Sequence, residues 1–297
     1  MNDIDDSTRK EIDKIVGRIL LDSDLQKAPI QIVDILEHLR VHRDFYNLDN
    51  PKFLQRLAHR IQIGAKKIID VVRDKIHLAT LWLPTERRIL VDNSQPEPKQ
   101  VWASFHDTIH SVLPWHRDFF LGDTAQTLEP DYQDMLESEA NYGSSALMFG
   151  GQLFTAQALD TTPCWRAIQD LKNVHGKSVV TTFRRYIEHG HDKALAGLIS
   201  TPWWMPKPGD QITRCRHYVR SRRFEREFPS VGPDELLQMV NKSTRRQRGG
   251  IVGDFTLSLK NLAGELFEFY GESFFNQHYL PTLFVVQTKS RSGTVSA

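Results

Sequence analysis

Residues 102–116 read WASFHDTIHSVLPWH. Two histidines, His106 and His110, stand four apart, and Asp107 directly follows the first. On an α-helix, positions i and i+4 share a face, so both imidazoles can reach one ion. The residue after the first histidine lies about 100° around the helix, beside that face. A carboxylate there can take a proton from a metal-activated water. The spacing alone is weak evidence, because 12 histidines in 297 residues give roughly 0.5 such pairs by chance. A second pair, His38 and His42 in HLRVH, has no acid between its histidines and no evident third ligand. It is the background case.

A catalytic zinc needs a third protein ligand and an open position. The stretch ESEAN (137–141) offers Glu137 or Glu139. On a helix these two point about 200° apart, so only one can face the ion. The competing reading is a polar helix face with ordinary histidines.

Around this stretch the pattern predicts helices over 7–42 and 51–74. Two strands follow, in KIHLATLWL and RRILVD, joined by a short PTE turn. The motif helix is expected to begin near Gln100 and end before Pro114. A second strong helix covers 131–149, where Gly150-Gly151 breaks it. Further helices are CWRAIQDLKNVHG and SVVTTFRRYIEHG, the second capped by Ser178. The segment STPWWMPKPGDQ (200–211), with three prolines and a glycine, marks the expected domain boundary. Beyond it CRHYVRS, GDFTLSL, ELFEFYG and TLFVVQT read as strands and PDELLQMVNKS as a helix.

Lys+Arg (38) and Asp+Glu (37) nearly balance, so overall charge points to neither nucleic acid nor membrane. No run approaches the ~18 apolar residues of a membrane span, and MNDIDDSTRKEIDK is unlike a secretory signal. Two cysteines, Cys164 and Cys215, fit neither a disulfide framework nor a four-cysteine zinc site. A cytoplasmic protein is expected.

The pairing of FHDTIHSVLPWHRDFF with LESEANYGSSALMFGGQLF about 30 residues on resembles the ImmA/IrrE family of metallopeptidases. In that family one helix carries H-E-x-x-H and a later helix, roughly E-x-E-A-N-x-F-A-A, supplies a glutamate ligand. APIQIVDIL and the hairpin ATLWLPTERRILVD also stand in the family's order, and GGQLFTAQALD and HGKSVVTTFRRYIE look like its following helices. The resemblance covers about residues 10–190. It implies His106, His110 and Glu137 as zinc ligands, with Asp107 in the place of the general base; Glu139 is the rival third ligand. Three departures stand out. The base is Asp, which withdraws the carboxylate by about 1.5 Å. Ile109 stands where the family has glycine before the second histidine. GSS (143–145) replaces Phe-Ala-Ala.

Other residues have structural readings beside functional ones. His116 could bond a metal ligand or steady the helix end. Tyr132 and Tyr142 could stabilise an oxyanion or simply pack. GKSVVTTFRRYIE resembles the second half of a helix-turn-helix, with Arg184 and Arg185 exposed; packing within the first domain is the plainer reading. The basic clusters RCRHYVRSRRFEREF and STRRQRGG read as solvated faces.

The expected fold is α+β: a zincin-like, mostly helical domain with a small β-sheet over 1–200, then a smaller α+β region over 201–297, for which the resemblance offers a regulatory role, since some family members carry an extra regulatory domain. The resemblance implies one zinc ion and an endopeptidase that cleaves an intracellular regulatory protein, such as a helix-turn-helix repressor of a mobile element or stress response. Neither membrane association nor direct nucleic-acid binding is expected. The alternative is a weakly active or inactive member that acts as a regulatory, protein-binding module.

Overall fold

The computed structural model describes residues 4–46, 80–83, 86–116, 130–205 and 215–289. The helix expected over 51–74 lies outside these. The chain is a mixed α/β protein in two compact units, Met1–Leu153 and Phe154–Ala297.

The first unit begins with α1 (Asp6–Asp22), whose N-terminus is capped by the Asp5 carboxylate accepting from the Ser7 and Thr8 amides. It buries Ile12, Val16, Ile19 and Leu20, a single helical stripe. α2 (Ile32–His38) is short, ending before the expected limit at residue 42, and the chain then turns into β1 (His42–Tyr46), a strand the sequence pattern does not show. β1 runs parallel to β3 (Arg88–Asp92), and β2 (Thr80–Leu83) runs antiparallel to it. Among the described residues this sheet has the order β1-β3-β2. Its central strand buries Ile89, Leu90, Val91 and Asp92 in succession.

α3 (Glu97–Val112) lies between that sheet and α4 (Pro130–Met148). Elements press on α3 from several sides, so seven of its residues from Ala103 to His110 are buried, polar ones included. α4 buries Leu136, Ala140, Gly143 and Leu147 at helical spacing. It ends where Gly150 and Gly151 take positive φ (72° and 59°), as the sequence predicts.

The second unit is built on an antiparallel sheet with the order β5-β4-β8-β7-β6 among the described residues. The strands are β4 (Leu195–Ser200), β5 (Cys215–Arg220), β6 (Gly250–Lys260), β7 (Leu266–Phe275) and β8 (Leu280–Lys289). α5 (Gln152–Leu159) spans the division between the units. α6 (Trp165–His175) and α7 (Val179–His189) cover one face of the sheet, where Trp165 stacks on Phe183 at 5.3 Å. Ser178 caps α7 as expected. Glu272 of β7 accepts the Trp165 amide at 2.9 Å, so a strand carboxylate caps α6 where Cys164 supplies no side-chain bond. α8 (Arg222–Glu227) and α9 (Pro233–Ser243) cover the other face, over Ala194, Ala196, Leu198, Phe269 and Phe284.

This sheet corrects the expected boundary. The division falls at 153/154, not at 200/201, because β4 lies before the Pro-rich segment and pairs with β8 from Leu195↔Val285 to Ser200↔Leu280. α6 and α7, read as helices of the first domain, belong to this sheet.

Gly197 marks the closest approach of α7. A Cβ there would meet Ile187 Cδ1 and lie 2.5 Å from Phe183 Cζ. Gly197→Val should therefore destabilise the second unit by about 1–3 kcal/mol, the usual cost of overpacking. Urea denaturation followed through tryptophan fluorescence measures it, and an unchanged midpoint would contradict this packing.

Candidate metal centre

α3 presents His106 and His110 one turn apart, and α4 brings Glu137 to them. His106 Nε2 lies 3.1 Å from His110 Nε2 and 3.1 Å from Glu137 Oε2, and His110 Nε2 lies 3.6 Å from Glu137 Oε1. All three donor atoms fall within 4.8 Å of one another. Zinc bonds of 2.0–2.1 Å in tetrahedral geometry place ligand atoms roughly 3.3 Å apart. The donor spacings bracket that value, so the residues fit such an ion. His110 is 3% exposed and closes one side, while the Glu137 side chain is 53% exposed and leaves the other side open to solvent. That is the access a catalytic centre requires.

The protonation pattern agrees with this convergence. Burial opposes charge on His106, but the Glu137 hydrogen bond and the Glu137 and Asp107 charges outweigh it and raise its pKa. Burial pulls His110 down to about 4. Burial would raise Glu137, yet the two histidines hold its carboxyl well below the usual range. His106 Nε2 lies within hydrogen-bonding distance of both His110 Nε2 and Glu137 Oε2.

Asp107 is buried, and its Oδ2 makes no hydrogen bond among the described residues. Burial pushes its carboxyl up to about 6, against the pull of His106 and the nearby Thr80 hydroxyl of β2. Tyr46, at the end of β1, borders the same region. Its phenol is held above its ordinary range by burial and by the charges of Asp92 and Asp107.

Glu139 does not join the cluster. Its Oε2 accepts from Trp115 Nε1 at 2.6 Å and from His116 Nε2 at 2.9 Å, and His116 Nδ1 lies 2.8 Å from His110 Nδ1. Glu137 and Glu139 thus approach the row of imidazoles from its two ends. Of the two readings of His116, the link to the candidate ligand His110 is the one observed. The sequence carried a trace of it: a second carboxylate two residues after Glu137, and a Trp-His pair just past the proline that ends α3.

Other nominated residues lie elsewhere. Tyr142 donates its hydroxyl to Asp13 at 2.8 Å, with Arg9 over its ring. The Tyr132 side chain lies outside the described part. His38 ends α2 and His42 opens β1, both exposed, so they share no helix face. Arg185, expected to be exposed, is 4% exposed, and α7 packs on β4, so helix packing is the reading observed, against the second unit's sheet and not within the first domain. Arg184 pairs with Glu188 on α7 at 3.7 Å.

The crossing of α3 and α4 sets the centre's dimensions. A Cβ on Gly143 would lie 2.9 Å from Ile109 Cγ2 and 3.1 Å from Ile12 Cγ2, so α1, α3 and α4 meet at this glycine. Gly143→Leu should cost about 1–3 kcal/mol by overpacking, and Ile109→Ala in the same chain should recover much of it. A double-mutant cycle by thermal denaturation reads the coupling. Additive effects would show that the two residues do not share the space.

No protein-family model matches the chain, and no curated protein matches it. Among solved structures, a Mycobacterium tuberculosis transcriptional regulator is similar in fold, with a TM-score of 0.52 at 9% identity. The match covers 93% of this chain and 88% of that one.

Proposed function

We propose that the chain is a zinc-dependent endopeptidase of the ImmA/IrrE kind, in which His106, His110 and Glu137 hold the ion and Asp107 is the general base. The observation that carries this is the convergence of three donors, at tetrahedral spacing, from two helices onto a point open on one side. Two departures from the family pattern also support it, because they meet in space. Ile109 stands in the place of the family's glycine and Gly143 in the place of its phenylalanine, and the two are in contact. Bulk lost on one helix is restored on the other. By resemblance, the substrate is an intracellular regulatory protein such as a helix-turn-helix repressor.

A bound zinc supplies Lewis acidity for a peptide carbonyl and for the attacking water. The chain's residues do the rest. Asp107 Oδ2, which makes no hydrogen bond among the described residues, accepts the water's proton and passes it to the leaving amine. A carboxyl raised to about 6 is ionised at neutral pH yet basic enough for both steps. The buried wall around His110 excludes bulk water on one side, and substrate enters past Glu137.

A second reading, a member that binds the ion without turnover and acts as a regulatory module, is favoured by one observation. Asp107 is enclosed near Thr80, and its carboxylate is one methylene shorter than the family's.

Zinc-loaded protein should hold one zinc per chain by metal analysis, with His106→Ala and Glu137→Ala each losing it. Asp107→Ala should keep the zinc while cleavage of a quenched-fluorescence peptide library falls by about 10²–10⁴, the usual share of a general base. Failure to bind zinc sinks the proposal. Zinc binding with cleavage seen only in Asp107→Glu selects the second reading.

A further inference from the structure

The Trp115–His116–Glu139 cluster lies outside the three candidate ligands and has no part in the chemistry above. Its hydrogen bonds have a direction. A carboxylate can only accept, so His116 Nε2 donates to Glu139. With His116 neutral, its Nδ1 is then an acceptor, and the 2.8 Å contact requires His110 Nδ1 to be the donor. A neutral His110 with its proton on Nδ1 has its lone pair on Nε2, the atom 3.1 Å from His106 Nε2 and 3.6 Å from Glu137.

We propose that Glu139, acting through His116, is the positioning group of the centre: it fixes His110 in the Nδ1–H tautomer and aims its Nε2 lone pair at the ion. The ion's presence rests on the function proposed above; the relay itself rests on these hydrogen bonds. Burial supports the assignment. His116 is fully buried and the Glu139 side chain is 5% exposed, so water cannot replace either bond. Trp115 donates to the same Oε2 and holds the carboxylate in place. Both contacts to Glu139 come from ring N–H groups. A hydrogen-bonded carboxylate behind a ligand histidine raises its basicity and fixes its ring.

Both bonds to Glu139 fall on one oxygen, which allows orientation and charge to be separated. Glu139→Gln can keep both bonds through its amide oxygen while removing the charge. Glu139→Ala removes both, and His116→Ala breaks the chain in the middle. Zinc affinity of the full chain, measured by competition with a chromophoric chelator, should fall about 10–100-fold in Glu139→Ala and in His116→Ala. The double variant should lose no more than the worse single one, and Glu139→Gln should lose less.

Imidazole ¹⁵N shifts of the metal-free protein give a readout that a merely structural role would not move. In the natural protein His110 should carry its proton on Nδ1. In Glu139→Ala the proton should spread to Nε2, and in Glu139→Gln it should stay. The wild-type measurement decides the matter even where Glu139→Ala fails to fold. A His110 proton on Nε2, a doubly protonated His116, or unchanged zinc affinity in folded Glu139→Ala would overturn the proposal. A natural protein that binds no zinc overturns the peptidase reading instead, and the tautomer alone then judges the relay.

Discussion

The contact between Ile109 and Gly143 is the constraint from which the candidate centre follows. Two imidazoles from one helix can meet a carboxylate from another only where the helices nearly touch, and a side chain on Gly143 would clash with Ile109. Gly143 lies six residues from Glu137, about 9 Å along the axis. Ile109 adjoins His110. Packing and chemistry are therefore set by one contact: widening the crossing would draw Glu137 from His106. α1 shares the contact through Ile12, so the first helix of the unit also helps to set the ligand spacing.

Electrostatics acts in the same direction. Three carboxylates, Asp107, Glu137 and Glu139, surround a row of three imidazoles, and two of the three are buried. Isolated buried carboxylates are costly. Hydrogen bonds from the imidazoles and from Trp115 offset part of this cost. His106 and His110, one turn apart on a helix, shift in opposite directions, because burial lowers both and the Glu137 and Asp107 interactions outweigh it only at His106.

Much of this was legible from local periodicity, and what was not is non-local. The i, i+4 spacing puts His106 and His110 on one face wherever the helix packs. Spacing could not choose between Glu137 and Glu139, because the choice depends on which face of α4 meets α3. β4 went unread because LAGLIS is buried along its whole length and so shows no alternation. Its partner β8 lies some 85 residues on, and without that pairing the prolines after residue 200 read as a linker. β1 went unread because its parallel partner β3 lies beyond a long intervening segment. Arg185 looked exposed because an arginine on an amphipathic helix usually is. The sheet that buries it is assembled from later strands.

Compared with the glutamate of the family pattern that the motif resembles, an aspartate at position 107 has two opposed effects, and their sizes decide which governs. Burial raises the carboxyl to about 6, nearer the value a general base needs at neutral pH. The shorter side chain also draws the same oxygens back by about 1.5 Å. A misplacement of about 1 Å can cost 10² in rate. A carboxylate with a pKa near 6 remains mostly ionised at pH 7, and Brønsted behaviour returns only part of the shift as rate, so the gain in basicity is the smaller effect. Reach governs. On the peptidase reading proposed above, activity at this centre therefore turns on whether the shorter Asp107 side chain reaches the attacking water, which the close crossing of α3 and α4 at Gly143 helps to position.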